Sequence, residues 1–425
     1  MVGVTADPAY PAPDDPEADT EVLASLCERT LRSNWREGIR TADGVPFAYT
    51  CPSPTHYPWQ WYWDSCFTAI AWRHFDPRNS RRELESLLAA QREDGLIGHT
   101  IFWNTPLPAS RRLTYNVISA DAPMTASIQP PALAWAWRIA VGDPATVPAI
   151  VRHHDWVDEN RDLDGDGLIW IVQPDESGLD ASPQFDAIWG RHAHGRAAFI
   201  QLIRRNRRLG YDARAIAAAA AGPVCCEVLT NVIQCLSRLA LGRESLTPTI
   251  VGRLYDESSG LFLPLARPAP RRPTAITWTA LAPLALPDLP ESIGRRLVEE
   301  HLLDPEQFWL PVPPPSVSAS DPSFSLDDRG LLGLKRYWRG PTWVNAAWLV
   351  WLGLVRLGYD DHAAQLVERL AATIAAQGLR EYYHAYTGRG MGTFDFGWSS
   401  LIMELIAPDP RAAVSYLSDD RDNSS

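Results

Sequence analysis

Residues 57–67 read YPWQWYWDSCF, and this stretch sets a pattern that recurs along the chain. Five aromatic residues and one proline precede a single carboxylate, Asp64, and an apolar run of helical length follows it. Long connections without secondary structure are uncommon in compact domains unless they have a function. The stretch therefore predicts a functional aromatic loop that leads directly into a helix.

The same alternation continues through most of the 425 residues. Aromatic, proline-rich stretches recur at 46–63, 98–122, 174–194 and 308–341. Between them, apolar residues at helical spacing predict helices at 21–37, 81–91, 126–141, 148–160, 197–209, 225–241, 291–303, 344–357 and 362–377. Strand-like runs are short, at 167–172 and 260–263. We expect an all-α fold with small β pieces, in which helical hairpins form a ring and the aromatic loops gather at one mouth.

The composition is that of an ordinary globular protein, with 46% hydrophobic and 21% charged residues, so wholesale disorder is excluded. Lys and Arg number 39 and Asp and Glu number 51, which gives a net charge of −12. Nucleic-acid binding needs a basic footprint and membrane-surface binding a polybasic one, so both classes of partner are excluded. No apolar run reaches the roughly 18 residues of a membrane span.

We expect one barrel domain over residues 21–410, preceded by a disordered leader at 1–20 and followed by a flexible tail at 411–425. The leader is acidic and rich in proline and lacks the apolar centre of a secretory signal. The six cysteines contain no C-x-x-C pair, which argues against a disulfide framework or a zinc site. The cytoplasm is therefore the expected compartment, and a homo-oligomer is possible because symmetric assemblies are common.

Asp64 has two interpretations. Its carboxylate could cap the following helix by accepting N–H groups of the first turn. Alternatively, a carboxylate beside an aromatic wall fits a sugar subsite, where rings stack on the sugar and the carboxylate binds hydroxyls. The chain has 18 Trp, well above ordinary usage, and the indole ring suits stacking on sugars as well as core packing.

Residues 162–169 read DLDGDGLI, which imitates the first half of an EF-hand calcium loop. The twelfth position of that loop is Gln173, where a bidentate Glu is required. We therefore expect a Gly/Asp turn that leads into a short strand, and no metal site.

Two other loops carry carboxylates suited to acid and base roles. Residues 174–183, PDESGLDASP, hold Asp175, Glu176 and Asp180, and such crowding drives carboxyl pKa values apart so that one group can stay protonated. Glu381 lies in REYYHAY, residues 380–386, among aromatic residues that limit solvent. Glycoside hydrolysis needs one protonated carboxyl and one carboxylate, so the two loops predict that chemistry. The alternatives are a solvated acidic loop and a surface glutamate.

Residues 335–343, KRYWRGPTW, place Arg339 between a tryptophan and a Gly-Pro pair at the end of a loop. A guanidinium there could hold ring hydroxyls or a carboxylate in its planar fork. It could equally brace an acidic neighbour inside the fold, and the sequence leaves both roles open.

Six motifs follow one another along the chain: WYWDS at 61–65, QREDG at 91–95, QPP at 129–131, ESGLDAS at 176–182, YWRGP at 337–341 and EYY at 381–383. The set resembles glycoside hydrolase family sixty-three, especially its bacterial glucosylglycerate and mannosylglycerate hydrolases, over residues 57–398. ESGLDAS is also similar to a motif of trehalases in a related family. The resemblance implies an (α/α)6 barrel of six helical hairpins and an inverting hydrolase that needs no metal or other cofactor.

The resemblance also implies a role for each candidate residue. Asp180 matches the general acid, Glu381 matches the general base that activates water, and Asp64 matches the aspartate that holds the reacting sugar. Tyr337 matches a residue that helps at the aglycone side. The other matches are aromatic walls and polar or stacking contacts around that sugar: Tyr57, Trp61, Trp63, Gln129, Trp338 and Arg339. For an inverting enzyme the two carboxyl groups should lie roughly 6.5–9.5 Å apart.

Three stretches depart from the family pattern. Phe396 stands near the position where a polar residue helps to hold glycerate. Residues 225–228, CCEV, stand where F-x-V-x-D is expected, and Gly98 replaces a common proline. These departures leave the hydrolytic residues in place and make the leaving group uncertain.

The sequence thus predicts an inverting α-glycosidase of a small glucoside or mannoside, with glucosylglycerate or mannosylglycerate as the first candidates. Arg191, Arg336 or Arg339 would hold the glycerate, and loops 98–122 and 188–194 would close over the site. The alternatives are a trehalase-like or other α-glucosidase, a hydrolase of a glycosylated metabolite, and a catalytically silent sugar-binding barrel. The choice between glucose and mannose stays open.

Overall fold

A computed structural model describes residues 16–105, 107, 124–190, 196–219, 222–268, 274–328 and 337–406. Within this part of the chain, six helical pieces form an inner ring. In chain order each contacts the next, and the last contacts the first, so the ring closes. The pieces are Tyr62–Trp72, Leu133–Ala140, Val228–Ala240, the 3-10 helix Trp278–Ala285, Val344–Leu357, and the 3-10 turn Gly397–Leu401 continued by Ile402–Leu405.

A second set of helices lies outside this ring. Each outer helix precedes one inner helix in the chain, so the two together form a helical hairpin. The outer helices are Pro16–Asn34, Pro77–Ala89, Pro148–Arg161, Thr247–Leu254, Glu291–Leu297 with the π-helical turn Val298–Leu302, and Asp360–Gln377. Six such hairpins in a ring are an (α/α)6 barrel, which confirms the predicted fold class.

The sequences of the two rings explain their positions. Every residue of Tyr62–Trp72 is buried, and in Val344–Leu357 only Arg356 is not, as expected for helices that are apolar on all sides. The outer helix Pro77–Ala89 is amphipathic instead. It begins after Asp76, whose carboxylate accepts the N–H of Arg78 at 3.1 Å, and proline occupies the first helical position.

Several predicted helices need correction at their ends. The helix predicted at 126–141 spans Leu133–Ala140, since Pro130 and Pro131 have no N–H to donate within a helix. The one predicted at 225–241 begins at Val228, after a strand, Val224–Cys226. The first helix spans Pro16–Asn34, so it begins five residues before the prediction.

The remaining connections hold short elements. Between the third outer and inner helices lie Asp186–Trp189, Arg196–Arg208, close to the prediction, and Ala213–Ala218. The described strands pair antiparallel in twos: Trp35–Ile39 with Pro46–Thr50, Gln60–Trp61 with Thr100–Ile101, Val224–Cys226 with Leu265–Arg267, Tyr255–Asp256 with Leu261–Phe262, and Arg380–Tyr383 with Gly390–Phe394. The run at 167–172 forms isolated bridges, at Ile169 and Ile171, instead of a strand.

Some predictions fall on residues that the structure does not describe. They are residues 1–15 of the leader, the tail at 411–425, most of loop 98–122 and residues 191–194 of loop 188–194. Arg191 and Arg336 also lie outside the described residues. In the described part, no helix is both long enough and apolar enough to cross a membrane.

The Gly/Asp turn at 162–167 is confirmed. The Asp162 carboxylate accepts the backbone N–H groups of Asp164, Gly165 and Gly167 at 2.7–3.0 Å. Arginine side chains pair with the other two aspartates of the turn: Arg253 with both and Arg267 with Asp164. Across the described ranges, no group of three His, Cys, Asp or Glu side chains is placed to hold a metal ion.

Glu83 is a buried carboxyl on the outer helix Pro77–Ala89. It joins this helix to the strand Pro46–Thr50 and to the first inner helix, Tyr62–Trp72. It accepts the N–H and the hydroxyl of Thr50, at 3.0 and 2.7 Å, and the hydroxyl of Thr68 at 2.7 Å. Burial raises the pKa of Glu83 from 4.5 to about 7. The folded protein therefore retains a proton between these pH values that the unfolded chain releases.

This retained proton predicts a pH-dependent stability. Its contribution is complete below pH 4.5 and is lost as pH rises through about 7. Relative to Glu83→Gln, the wild-type free energy of unfolding should fall by roughly 3 kcal/mol between pH 4.5 and 8, at about 1.4 kcal/mol per pKa unit. Urea unfolding at several pH values measures the difference, with the exposed Glu85→Gln on the same helix as control. A difference that does not change with pH would contradict the prediction.

Candidate active site

One pocket lies at the end of the barrel where the inner helices begin. It has a volume of about 600 Å³ when the open mouth is included. Its walls come mainly from residues in the loops before the inner helices or in their first turns. They are Pro52, Tyr57, Trp61, Trp63, Asp64, Gln129, Gly178, Asp180, Tyr337, Trp338, Trp343, Glu381, Phe396 and Trp398.

Aromatic rings form most of the pocket wall and fix one another edge to face. Tyr57 lies against Trp61 and Phe396, with ring centroids 5.9 and 6.1 Å apart. Trp398 lies against Trp63 at 5.2 Å and against Phe396 at 5.1 Å. Such rigid apolar surfaces suit the faces of a sugar ring.

Asp64 is the carboxyl at the start of the first inner helix. It lies in the first turn of Tyr62–Trp72, and Trp61 occupies the cap position, so the helix-cap interpretation is not supported. Only 4% of Asp64 is exposed. Burial raises the pKa of Asp64 well above its usual range, and the charges of Glu381, Glu83 and Asp180 act in the same direction.

The loop of Asp180 is built around two residues with left-handed backbone conformation. Gly178 has φ +73°, and a Cβ at this position would come within 2.4 Å of the Trp63 ring, so only glycine fits. Ala181 also has a positive φ, +60°. This turn carries Asp180 into the pocket, where the Tyr337 hydroxyl donates to its Oδ2 at 2.9 Å.

Arg339 braces this loop from outside the pocket. Its Nε donates to the Ala181 carbonyl at 2.9 Å, and one terminal nitrogen donates to both carboxylate oxygens of Asp186 at 2.7 and 2.8 Å. Arg339 is buried and is not a wall residue. Of the two roles that the sequence left open, the structure shows the bracing one.

Glu176, four residues before Asp180, belongs to the framework. Its carboxylate forms two hydrogen bonds of 2.7 Å with Arg161 in a fully buried pair. It also accepts the N–H groups of Ile128 at 3.1 Å and Val172 at 2.8 Å. Since Ile128 precedes Gln129, this carboxylate fixes a neighbouring wall of the pocket as well as the Asp180 loop.

Glu381 lies on the strand Arg380–Tyr383, with 3% of the residue exposed. The Tyr57 hydroxyl donates to its Oε1 at 3.3 Å, and the N–H of Thr393 donates to its Oε2 at 2.9 Å. Tyr383 and Thr342 exchange two backbone hydrogen bonds of 2.8 and 2.9 Å. This strand is thereby tied to the loop of Tyr337 and Arg339, which contacts Asp180.

Gly392 allows the paired strand to pass close to Glu381. The residue has φ +64° at a register shift between the two strands, and a Cβ there would lie 2.7 Å from Glu381 Oε2. Gly392→Ala should therefore displace the carboxylate and lower kcat/KM about 10²-fold, the usual cost of a misplacement near 1 Å. Steady-state kinetics measures the loss. Gly358→Ala is the control, because its φ is +79° with no atom near the added Cβ, and an equal loss there would contradict the explanation.

The structure brings nine of the ten predicted site residues into one pocket, and Arg339 lies behind it. Prediction missed Trp343, Trp398, Pro52 and Gly178 as wall residues, although all four lie within six residues of a predicted site residue or of Phe396. Phe396 itself lies in the wall. Adjacency to a motif was the available signal, but sequence does not tell which neighbours point inward.

A six-hairpin helical barrel whose aromatic pocket contains three carboxyl groups has the parts that a glycoside hydrolase requires. Residues 57–399 match the family model of the mannosylglycerate hydrolase MGH1-like glycoside hydrolase domain. The chain belongs to this family, within glycoside hydrolase family 63, and is an enzyme that hydrolyses glycosidic bonds.

Relatives cover nearly the whole chain. The mannosylglycerate hydrolase of Rubrobacter radiotolerans is 28% identical over 84% of this chain and 93% of its own. The glucosylglycerate hydrolase of Mycolicibacterium hassiacum is 24% identical over 91% and 98%. The crystal structure of the GH63 mannosylglycerate hydrolase from Thermus thermophilus in complex with Tris and D-glycerate is similar with a TM-score of 0.74 and 26% identity, over 89% of this chain and 98% of that one.

Proposed function

We propose that this enzyme is an inverting α-glycosidase of a small glucoside or mannoside, with Asp180 as general acid and Glu381 as general base. One observation carries the proposal. Asp180 and Glu381 come from distant parts of the chain, yet both line one aromatic pocket together with Asp64. Different residues hold the two groups, Tyr337 for Asp180 and Tyr57 with Thr393 for Glu381, so each carboxyl has a distinct setting.

The proposed reaction is a single displacement. The bond between the anomeric carbon and the leaving oxygen breaks, and that oxygen takes its electron pair and the proton of Asp180. Water forms the new bond to the anomeric carbon and gives a proton to Glu381. Solvent then reprotonates Asp180 and accepts the proton of Glu381. Attack from the face opposite the leaving group converts an α-glycoside into a β-sugar.

Asp64 and the aromatic wall would hold the reacting sugar. A buried carboxyl binds sugar hydroxyls through strong hydrogen bonds, and Trp63 and Trp61 offer flat faces beside it. These contacts restrict water around the anomeric carbon, which strengthens electrostatic interactions within the site.

Glycerate is the first candidate for the leaving group. The support comes from the relatives, which are named as hydrolases of mannosylglycerate and glucosylglycerate. A cation would be expected to hold the glycerate carboxylate, but the described wall contains no Lys, Arg or His. Arg339 is engaged with Asp186, so Arg191 and Arg336, outside the described residues, are the remaining predicted partners.

A neutral α-glucoside such as trehalose is the second candidate. The observation that favours it is Phe396, which is buried in the wall between Tyr57 and Trp398. An aromatic edge offers no hydrogen bond to a glycerate hydroxyl or carboxylate. It packs equally well against the apolar face of a second sugar.

A proton NMR time course tests both candidates and the stereochemistry. Purified enzyme is mixed in parallel with glucosylglycerate, mannosylglycerate and trehalose, and the first anomer is recorded before mutarotation. Release of β-sugar from either glycerate α-glycoside is the expected result. Release from trehalose alone would retain the mechanism and change the leaving group. Release of α-sugar would overturn inversion, and binding without hydrolysis of any of the three would indicate a different glycosylated metabolite as the substrate.

Two further predictions concern the cellular compartment and the oligomeric state. All six cysteines are buried and without a disulfide partner, which is consistent with the reducing cytoplasm. The cytoplasmic location and the homo-oligomer both stay predictions, for which fractionation and the solution mass of the purified protein are the measurements.

A further inference from the structure

Arg339 lies behind the pocket and spans both ends of the segment that follows Asp180. Its Nε donates to the Ala181 carbonyl at 2.9 Å, and one terminal nitrogen donates to both carboxylate oxygens of Asp186 at 2.7 and 2.8 Å. The Arg339 side chain is 7% exposed, and that of Asp186 is 36% exposed. A single buried guanidinium therefore holds residues 181 and 186 in a fixed relation to each other.

The backbone of this segment needs such support. Ala181 has φ +60°, a left-handed conformation that costs free energy in any residue with a Cβ. Strained conformations of this kind persist only where the surrounding structure holds them. The φ rotation of Ala181 relates its carbonyl to the peptide unit that joins it to Asp180. Holding that carbonyl in place therefore stabilises the turn that directs Asp180 into the pocket.

We propose that Arg339 and Asp186 are positioning residues for proton transfer from Asp180, and that they act on this step alone. Arg339 holds the Ala181 carbonyl, Asp186 holds Arg339, and neither of these two side chains is among the wall residues of the pocket. The inference rests on the proposed function, in which Asp180 is the general acid. It implies that the cost of losing the Arg339 contacts depends on how much help the leaving group needs from an acid.

The backbone around Arg339 is held independently of its guanidinium. The Arg339 carbonyl accepts the N–H of Ser325 at 2.7 Å, and the N–H of Gly340 donates to the Ser316 hydroxyl at 2.8 Å. Residue 342 pairs with the strand of Glu381 through main-chain hydrogen bonds. A change of the Arg339 side chain should therefore leave this backbone, and the strand that it supports, in place.

The other carboxyl groups of the pocket are held by different parts of the chain. The Tyr57 hydroxyl and the N–H of Thr393 donate to the two carboxylate oxygens of Glu381. Asp64 is carried by the first turn of the first inner helix. The groups proposed to activate water and to hold the sugar thus lie on elements separate from residues 181–186. A displaced Asp180 should slow the protonation of the leaving oxygen and little else.

The test uses two substrates that differ in their need for the acid. One is glucosylglycerate, mannosylglycerate or trehalose, whichever the wild type hydrolyses, and the other is the matching α-glycosyl fluoride, whose leaving group departs without a proton. Arg339→Lys keeps the positive charge, but a single ammonium lacks the fork that reaches both partners. It should lower kcat on the glycoside about 10²-fold through a misplaced acid, with KM unchanged. The loss of kcat on the fluoride should stay below about threefold.

Asp186→Asn is the second, milder variant, at a side chain that is partly exposed. The amide keeps a hydrogen bond with Arg339 and loses the charge, so kcat should fall about tenfold on the glycoside and again be spared on the fluoride. Arg138→Lys is the matched control. Arg138 also donates to a carbonyl and an aspartate, those of Ala240 at 2.7 Å and Asp143 at 3.2 Å, but in the last turn of its inner helix, away from the pocket. Both of its rates should stay within about twofold of the wild type.

Equal losses on the glycoside and the fluoride would show that Arg339 supports the site as a whole and would overturn the inference. Wild-type activity of Arg339→Lys on the glycoside would overturn it as well. Asp180→Asn, measured in parallel, separates this inference from the proposed function. If Asp180→Asn keeps its activity on the fluoride and Arg339→Lys does not, the inference alone fails. If Asp180→Asn is also slow on the fluoride, Asp180 is not the general acid, and the proposed function fails together with the inference.

Discussion

Asp180→Asn and Glu381→Gln should each lower kcat by about 10³-fold and leave the fold and the binding of sugar unchanged, as expected for loss of one acid or base group. Asparagine cannot protonate the leaving oxygen, and glutamine cannot accept a proton from water. Both amides keep the size of the carboxyl and retain hydrogen bonds with Tyr337 and Tyr57. Single-turnover kinetics and the thermal unfolding midpoint measure the two parts of this prediction.

The roles of acid and base can be separated by the choice of substrate. Fluoride leaves without a proton, so Asp180→Asn should hydrolyse an α-glycosyl fluoride at close to the wild-type rate. Glu381→Gln should remain slow on the same substrate, because water still has to be activated. Glu368→Gln, an exposed change on an outer helix, is the control and should be fully active. Recovery of Glu381→Gln but not Asp180→Asn on the fluoride would reverse the two assignments.

The inner ring shows which parts of the fold can be derived from sequence. Val344–Leu357 begins and ends at the predicted residues, because its apolar spacing is unbroken and Gly358 stops it in a left-handed conformation. Trp278–Ala285 was not predicted. It is a 3-10 helix with Pro283 inside, so its spacing differs from the 3.6-residue pattern of an α-helix.

The site shows a similar division. The motifs identified Asp180 and Glu381. That the two residues lie in one pocket depends on long-range contacts that no local pattern contains, such as the backbone pairing of Thr342 with Tyr383. Arg339 illustrates the point. Its sequence neighbours fit a ligand contact and a brace equally well, and only the position of Asp186 across the fold distinguishes them. The framework role of Glu176 could not be derived from its motif either, because its partner Arg161 lies on an outer helix, 15 residues earlier in the chain.

That arginine gives the largest expected effect on stability. The side chains of Arg161 and Glu176 are 1% and 0% exposed. Arg161→Met would leave the Glu176 carboxylate buried, with only the backbone N–H groups of Ile128 and Val172 donating to it. Breaking one side of such a pair costs about 3–5 kcal/mol of unfolding free energy. Urea unfolding at pH 7 measures the loss. Arg295→Met, at an exposed pair with Glu291, should cost less than about 1 kcal/mol.

The double variant Arg161→Met, Glu176→Gln distinguishes the cost of an unpaired charge from lost packing. A neutral amide at 176 can still accept from Ile128 or Val172, so adding it should restore about 2 kcal/mol or more of the loss. Strictly additive losses would contradict this account. Because the Glu176 carboxylate orients the loop of Asp180 and the residue before Gln129, recovered stability should be accompanied by recovered kcat.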